Sequence, residues 1–357
     1  MKTESSPKSA GEAKAYPPSF VDRLMAWIER LPVPAWVFYL SVTLVFVVLG
    51  HGLRWLDGSL PRGTFYPLRF YNDSITIYAP ALLHSLNRTA RASLASFRPA
   101  LGKLEAEYER LEAGLTRMSP RSFLISLVMG LALSILSFLS DPVFWDVTPQ
   151  TSVVTDVVSV AQGMIKISLF FVLIFHSVQQ VRLIARIHRE AANVNLYQSD
   201  THHAFSRLTV RAAIGLVLPL YAYLFIAVLF NNFGTSRISA VDIGMVAFAV
   251  FIAVGVFVLP LLGMRRRLVN EKERLLVEAD RQFDATTRKL HQRLEADHME
   301  KMDDFNKALA SLVIEKDTLK KLSTWPWEAE TLRGFLSSVG LPILLWFVTT
   351  YLGRFFQ

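Results

Sequence analysis

Residues Ile243–Gly263 read IGMVAFAVFIAVGVFVLPLLG, and the chain runs straight on into MRRRLVNEKERLLVEADRQFDATTRKL, residues 264–290. From Met264 to Trp325 there is no Gly and no Pro, and acids and bases are densely interleaved. A further apolar run, Gly334–Leu352, follows. This order predicts a water-soluble helix held at both ends by membrane spans, presenting its surface from the bilayer. Within it Leu276, Ala279, Phe283, Thr286 and Leu290 recur three and four residues apart. After a slip around Leu294–His298 the pattern resumes at Met302, Phe305, Leu309, Leu312, Lys316 and Leu319. Two short heptad blocks with a skip predict coiled-coil-like packing. The packing partner is left open between a second subunit, another protein and the Leu82–Met118 segment, and a bend at the skip is an alternative to one long helix.

Composition agrees. Hydrophobic residues make up 52% of the 357 and charged residues 19%, high and low for a soluble domain. A bilayer core of about 30 Å takes about 20 apolar residues as helix. Six runs approach that length: Pro34–Leu53, Ser122–Ser140, Val157–Val178, Ala212–Phe230, Ile243–Gly263 and Gly334–Leu352. The expected fold is all-α, a polytopic helical membrane protein of about six transmembrane helices with long cytoplasmic extensions. Its expected parts are a disordered tail (1–19), an interfacial helix and first span (20–53) and a cytoplasmic helical segment (54–121). A four-span core (122–263), a cytoplasmic coiled-coil-like helix (264–324) and a terminal span (325–357) complete it.

The net charge of +8 is distributed by loop, as topology requires, and is not a nucleic-acid footprint. Asp141–Asp156 carries three acids and no base, whereas Gln179–Arg211 carries Arg182, Arg186, Arg189, Arg207 and Arg211. The positive-inside rule puts Gln179–Arg211 and Met264–Arg333 in the cytoplasm and Asp141–Asp156 and Asn231–Asp242 outside. With six crossings Arg54–Arg121, with its ten bases, is cytoplasmic too, and both termini lie outside. That conflicts with Lys2, Lys8, Lys14, Arg23 and Arg30 in the tail. Either the tail is translocated or Pro34–Leu53 does not cross fully.

Phe20, Leu24, Trp27, Ile28 and Leu31 share one helical face and predict an interfacial helix. Ile75–Leu86, ITIYAPALLHSL, is apolar but too short to cross. A surface-lying or re-entrant helix and a packed soluble helix are equal readings. Ser119 and Pro120 suit the start of a helix feeding the second span, and Pro326 suits the first turn of the last element.

Lys166 is the sharpest single residue. At 100° per residue Ser159, Gln162, Lys166, Ser177 and Gln180 fall on one side of the third span, with His176 about 80° away. An ionisable group at that depth costs several kcal/mol unless paired or wetted, and so marks a candidate pore or transport stripe. The alternative is that Lys166 snorkels, pairs with an acid near the outer boundary, or sits closer to the interface because the span begins later. Arg265, Arg266 and Arg267 anchor the cytoplasmic end of the fifth span and are candidate contacts for anionic lipid. His202 and His203, with Asp200 and His188, do not form HxxxH or HxxHH boxes. No phosphate loop, nucleophile elbow or HExxH is present and there is no Cys, so no metal or cofactor and no enzymatic activity are expected. The expected partners are the lipid bilayer and, through Met264–Leu322, a second copy or another protein.

Asn195, Leu196 and Tyr197, then Ala204, Phe205, Ser206, Arg207, Leu208 and Thr209, precede the fourth span, and Trp325-Pro326-Trp327 precedes a span reaching Trp346. In these stretches, about an eighth of the chain, the sequence resembles a family of uncharacterised bacterial multi-spanning proteins. The resemblance implies a bacterial inner-membrane location and carries over no catalytic residue. Two functions follow as expectations: an interaction or signal-relay protein presenting cytoplasmic helices, or a channel or secondary transporter using the Lys166 stripe.

Overall fold

The computed structural model describes residues 18–140, 142, 145, 147–191, 196, 203–230, 240–295, 302–327 and 329–340. Most of the N-terminal tail, Asn195, Tyr197, Asp200, His202, Pro342 and Trp346 fall outside them, as do 231–239 and 296–301. The described residues are almost entirely helical and contain no strand.

The elements are α1 (Phe20–Glu29), α2 (Ala35–Asp57), α3 (Pro67–Ser74), α4 (Tyr78–Phe97), α5 (Tyr108–Thr116), α6 (Pro120–Ser140), α7 (Val153–Glu190), α8 (Ser206–Phe230), α9 (Ala240–Glu295) and α10 (Met302–Lys321). Three helical stretches among the described residues are long and apolar enough to cross a membrane: Ala35–Asp57, Gly102–Ser140 and Val153–Glu190. The apolar part of the second is α6. Leu40, Leu44, Val45 and Val48 on α2 and Leu124, Val128, Leu136 and Leu139 on α6 are exposed, a surface suited to lipid rather than water.

The chain packs as two compact units. One comprises Met1–Arg88, Glu107–Gln179 and Ile226–Phe230, the other Thr89–Ala106, Gln180–Phe225 and Asn231–Gln357.

In the first unit Ser19 caps α1, its hydroxyl accepting from the Asp22 amide while Asp22 accepts from the Ser19 amide, a reciprocal capping box. Val21, Met25 and Ile28 are buried, so α1 has two apolar faces. The face expected at the interface, with Phe20 and Trp27 exposed, points away from the protein. Ile28 belongs to the inner face. Ser119 caps α6 as expected, accepting from the Ser122 amide at 3.1 Å. The α6/α7 seam is a column of small residues: Ser126, Gly130 and Ser134 on α6 recur every fourth position and are buried. Trp145 lies on Gly163 of α7 and donates to Ser137 at 3.2 Å.

The Leu82–Met118 stretch is less regular than its pattern suggests. α4 ends at Phe97, two 3₁₀ turns follow (Arg98–Ala100 and Gly102–Glu107), and α5 begins at Tyr108. Pro99 has no amide to donate, and Gly102 adopts a positive φ of 56° that favours glycine.

In the second unit the elbow before α8 is a packing core. Phe205 lies 5.3 Å from Phe97 and 5.3 Å from His188, ring centre to ring centre, and Leu208 and Thr209 are buried. His188 Nδ1–H donates to the carbonyl of Pro260, the proline inside α9. Trp327 is buried on Phe257, which stacks on Phe335 at 4.2 Å. Residues 325–327 are not helical and the next described residues, from 329, are, so Pro326 precedes that helix rather than opening it.

The polar continuation of α9 is paired by its own chain. Lys272 Nζ donates to the carbonyls of Lys320 and Leu322, each at 2.7 Å. Lys316 bridges Asp280, and the Arg293 guanidinium sits over the Phe305 ring. The order of these contacts makes α9 and α10 antiparallel. Leu276, Ala279, Phe283, Thr286 and Leu290 are shielded on α9, as are Leu275 and Thr287 beside them, and Met302, Phe305, Leu309, Leu312, Lys316 and Leu319 are shielded on α10. Lys272 satisfies terminal carbonyls of α10 and complements its negative end. Lys272→Met is expected to loosen α10 by about 1 kcal/mol, seen as roughly fivefold faster amide exchange in Met302–Lys321 with the α2 amides unchanged.

Candidate functional site

Polar side chains buried in the first unit gather where α2, α3 and α7 meet. Asp73 is fully buried and is the only buried carboxylate among the described residues. It sits one turn beyond Arg69 on α3, whose Nε lies 2.9 Å from Asp73 Oδ1. From α7, Gln162 Nε2 donates to Asp73 Oδ1 at 3.1 Å and lies 3.2 Å from Thr76 Oγ1. The Gln162 carbonyl oxygen accepts from Arg69 Nη2 at 3.2 Å. Ser159 Oγ accepts from Arg54 at 3.2 Å and from Arg69 at 3.5 Å. Each amide and hydroxyl of α7 is thus used at the depth where α3 presents charge, which offsets the cost of burying it.

His51 closes the cluster from α2. Its Nδ1–H donates to the Val47 carbonyl at 3.1 Å and lies 3.7 Å from Asp73 Oδ2, while the ring stacks on Phe65 at 5.5 Å. His51 Nε2 and Asp73 Oδ2 are buried without a hydrogen-bond partner among the described residues. Gly50 makes room for the carboxylate: a Cβ there would lie 2.3 Å from Asp73 Oδ2. Beyond the cluster, Asp57 at the end of α2 accepts from the Ser152 amide at 3.1 Å and the Thr155 hydroxyl at 2.5 Å, joining the end of α2 to the start of α7.

The stripe expected on the third span is therefore a helix seam over its first half. Ser159 and Gln162 face Arg54, Arg69 and Asp73, and Lys166 donates to Asn72 Oδ1 at 3.2 Å. Ser177 and Gln180 are buried further along. His176, off the stripe by helical spacing, donates from Nε2 to Asn87 Oδ1 at 2.9 Å and extends the seam. Lys166 is partly buried.

The three arginines after the fifth apolar run separate in role. Arg267 donates to the carbonyls of Arg189 and Ala191 and so caps the end of α7. Arg265 lies over Trp325, 3.9 Å from the ring centre, a cation–π contact. Arg266 is exposed and is the one left facing outward. No group of three or more metal-ligating side chains occurs among the described residues.

Sequence reasoning missed His51, Arg54, Arg69, Asn72, Asp73 and Thr76. One signal was available: Arg69 and Asp73 stand four apart and Thr76 three further on, a spacing that puts them on one helical face. No protein-family model, no curated protein and no solved structure matches this chain.

Proposed function

We propose that this chain is a polytopic membrane protein whose role is interaction or signal relay, presenting the α9–α10 hairpin in the cytoplasm. One observation carries the reading: α9 runs unbroken from an apolar run into a charge-rich stretch of 32 residues, 264–295, and α10 folds back along it. At 1.5 Å per residue the soluble part of α9 reaches about 48 Å from the bilayer. Val277, Val313 and Ile314 are exposed on the hairpin, which supports a protein partner rather than solvent alone on that surface. The six apolar runs supply its membrane helices, and the base-rich 179–211 and 264–333 segments face the cytoplasm. The resemblance to uncharacterised bacterial membrane proteins supports a bacterial inner membrane.

A photo-crosslinking residue in place of Val277 should give a discrete adduct in native membranes, and Ile314→Glu should abolish it without lowering the melting temperature. An adduct indifferent to Ile314→Glu, or none from any exposed hairpin position, would remove the relay reading.

The second reading, a proton- or ion-conducting protein, is supported by the buried Asp73 and His51 with Lys166 on the same seam. Liposome flux then decides: wild-type flux abolished by both Lys166→Leu and Asp73→Asn favours conduction. Flux at background across protons and common ions favours the relay.

A further inference from the structure

Between α2 and α5 lies a helix that hydropathy hides. α3, the Ile75–Ile77 3₁₀ turn and α4 follow one another without a gap from Pro67 to Phe97. Against α2 its contacts run in opposite order. Near the start of α2, the Tyr39 hydroxyl donates to His84 Nδ1 at 3.1 Å. Near the end of α2, Gly50 and His51 meet Asp73. Against α7 the order is the same as the chain: Ser159 with Arg69, Gln162 with Asp73 and Thr76, His176 with Asn87. A helix that follows α2 from Tyr39 to His51, and α7 from Ser159 to His176, shares a layer with them. Pro67–Arg88 covers about 33 Å at 1.5 Å per residue, matching a hydrocarbon core of about 30 Å.

The polar residues that lower its hydropathy are not offered to lipid. Arg69, Asp73, Thr76 and Asn87 are all buried, and each has a partner on α1, α2 or α7. Between Pro67 and Asn87 the exposed side chains are Phe70 and Ser85. The first exposed charges are Arg88 and Arg91, where a crossing would end. Ionisable residues within membranes are tolerated in this way, turned inward and paired.

We infer that Pro67–Arg88 is a membrane-crossing helix antiparallel to α2, giving seven crossings and a cytoplasmic N-terminus. The inference rests on the membrane reading of the apolar helices. It sets the 58–66 turn on the outer side with the connection before α7, which Asp57 already joins through Ser152 and Thr155. It also puts the His51–Asp73 cluster in the outer part of the bundle. Charge agrees independently. Lys2, Lys8, Lys14, Arg23 and Arg30 then lie inside, as do Arg88, Arg91, Arg98, Lys103, Arg110, Arg117 and Arg121. Arg62 is the only base left in the outer turn. The conflict between the basic tail and an outer N-terminus disappears.

The chain has no Cys, so each introduced thiol is unique. Right-side-out membrane vesicles would be treated with an impermeant maleimide, with labelling after denaturation as the reference. Arg62→Cys and Thr64→Cys should label from outside, like Gln150→Cys. Ser9→Cys and Ser96→Cys should stay protected until the membrane is opened, like Ala285→Cys on the hairpin. Protection of both Arg62→Cys and Thr64→Cys, or outside labelling of Ser96→Cys, overturns the crossing. A carbonate wash of the same membranes separates the two failures. Release of the protein defeats the membrane reading itself, whereas retention with the wrong labelling defeats only the seventh crossing.

Discussion

Asp73→Ala is expected to be the most damaging single substitution in the chain, at about 3–5 kcal/mol, because it leaves a buried guanidinium without its carboxylate. Arg69 Nε lies 2.9 Å from Asp73 Oδ1 and both side chains are buried. Gln162 Nε2 donates to the same oxygen and lies within hydrogen-bond distance of Thr76 Oγ1, so those bonds are disturbed as well. The effect would be read as loss of monodisperse protein in detergent and a lowered melting temperature. The double variant Arg69→Met with Asp73→Ala should recover part of the loss, since an uncharged pair in that space costs less than a lone cation. Glu271→Ala breaks an ion pair to Arg274 on the exposed hairpin and should leave the melting temperature where it is. If Asp73→Ala behaves like Glu271→Ala, the cluster does not hold α3 to α7.

Gly130→Val should come second. A Cβ at Gly130 would lie 2.6 Å from Ser168 Cα and 3.2 Å from Phe171 Cβ. The nearest obstacle is backbone, so no side-chain rotation relieves it and α6 must move off α7. Overpacking of this kind costs about 1–3 kcal/mol or more, and close approach through small residues is what holds helices together in lipid. The expected result is a lower melting temperature and proteolytic cleavage between Ser140 and Val153. Gly263→Ala, where a Cβ meets nothing within 4 Å, should show neither. Equal behaviour of the two variants would mean that the α6/α7 seam is looser than Ser126, Gly130 and Ser134 make it.

What could be read from sequence followed from period and run length. The α9 and α10 seam positions were legible because a helix shields every third or fourth residue: the spaced residues are shielded, and on α9 Leu275 and Thr287 are shielded with them. The direction of pairing was not, because one amphipathic helix does not say what covers it. Ser159, Gln162 and Lys166 were legible as a stripe, and their partners were not. Arg54 and Asp73 lie about ninety residues or more from the α7 side chains they meet, and no local pattern encodes that distance. Hydropathy also misled at α3–α4, since averaging counts Arg69 and Asp73 against a span and is blind to their burial. The small-residue column of α6, Ser126, Gly130 and Ser134, stands at four-residue spacing but does not name the helix it packs on.

Chemical linkage between α2 and α4 tests the central claim most directly. With a protease site placed in the 58–66 turn, a short bismaleimide would be applied to paired cysteines and the fragments separated. Tyr39→Cys with His84→Cys should stay joined after cleavage, and Tyr39→Cys with Phe70→Cys should fall apart. The reverse outcome, linkage of 39 to 70 and none of 39 to 84, would contradict a helix running back across the membrane beside α2.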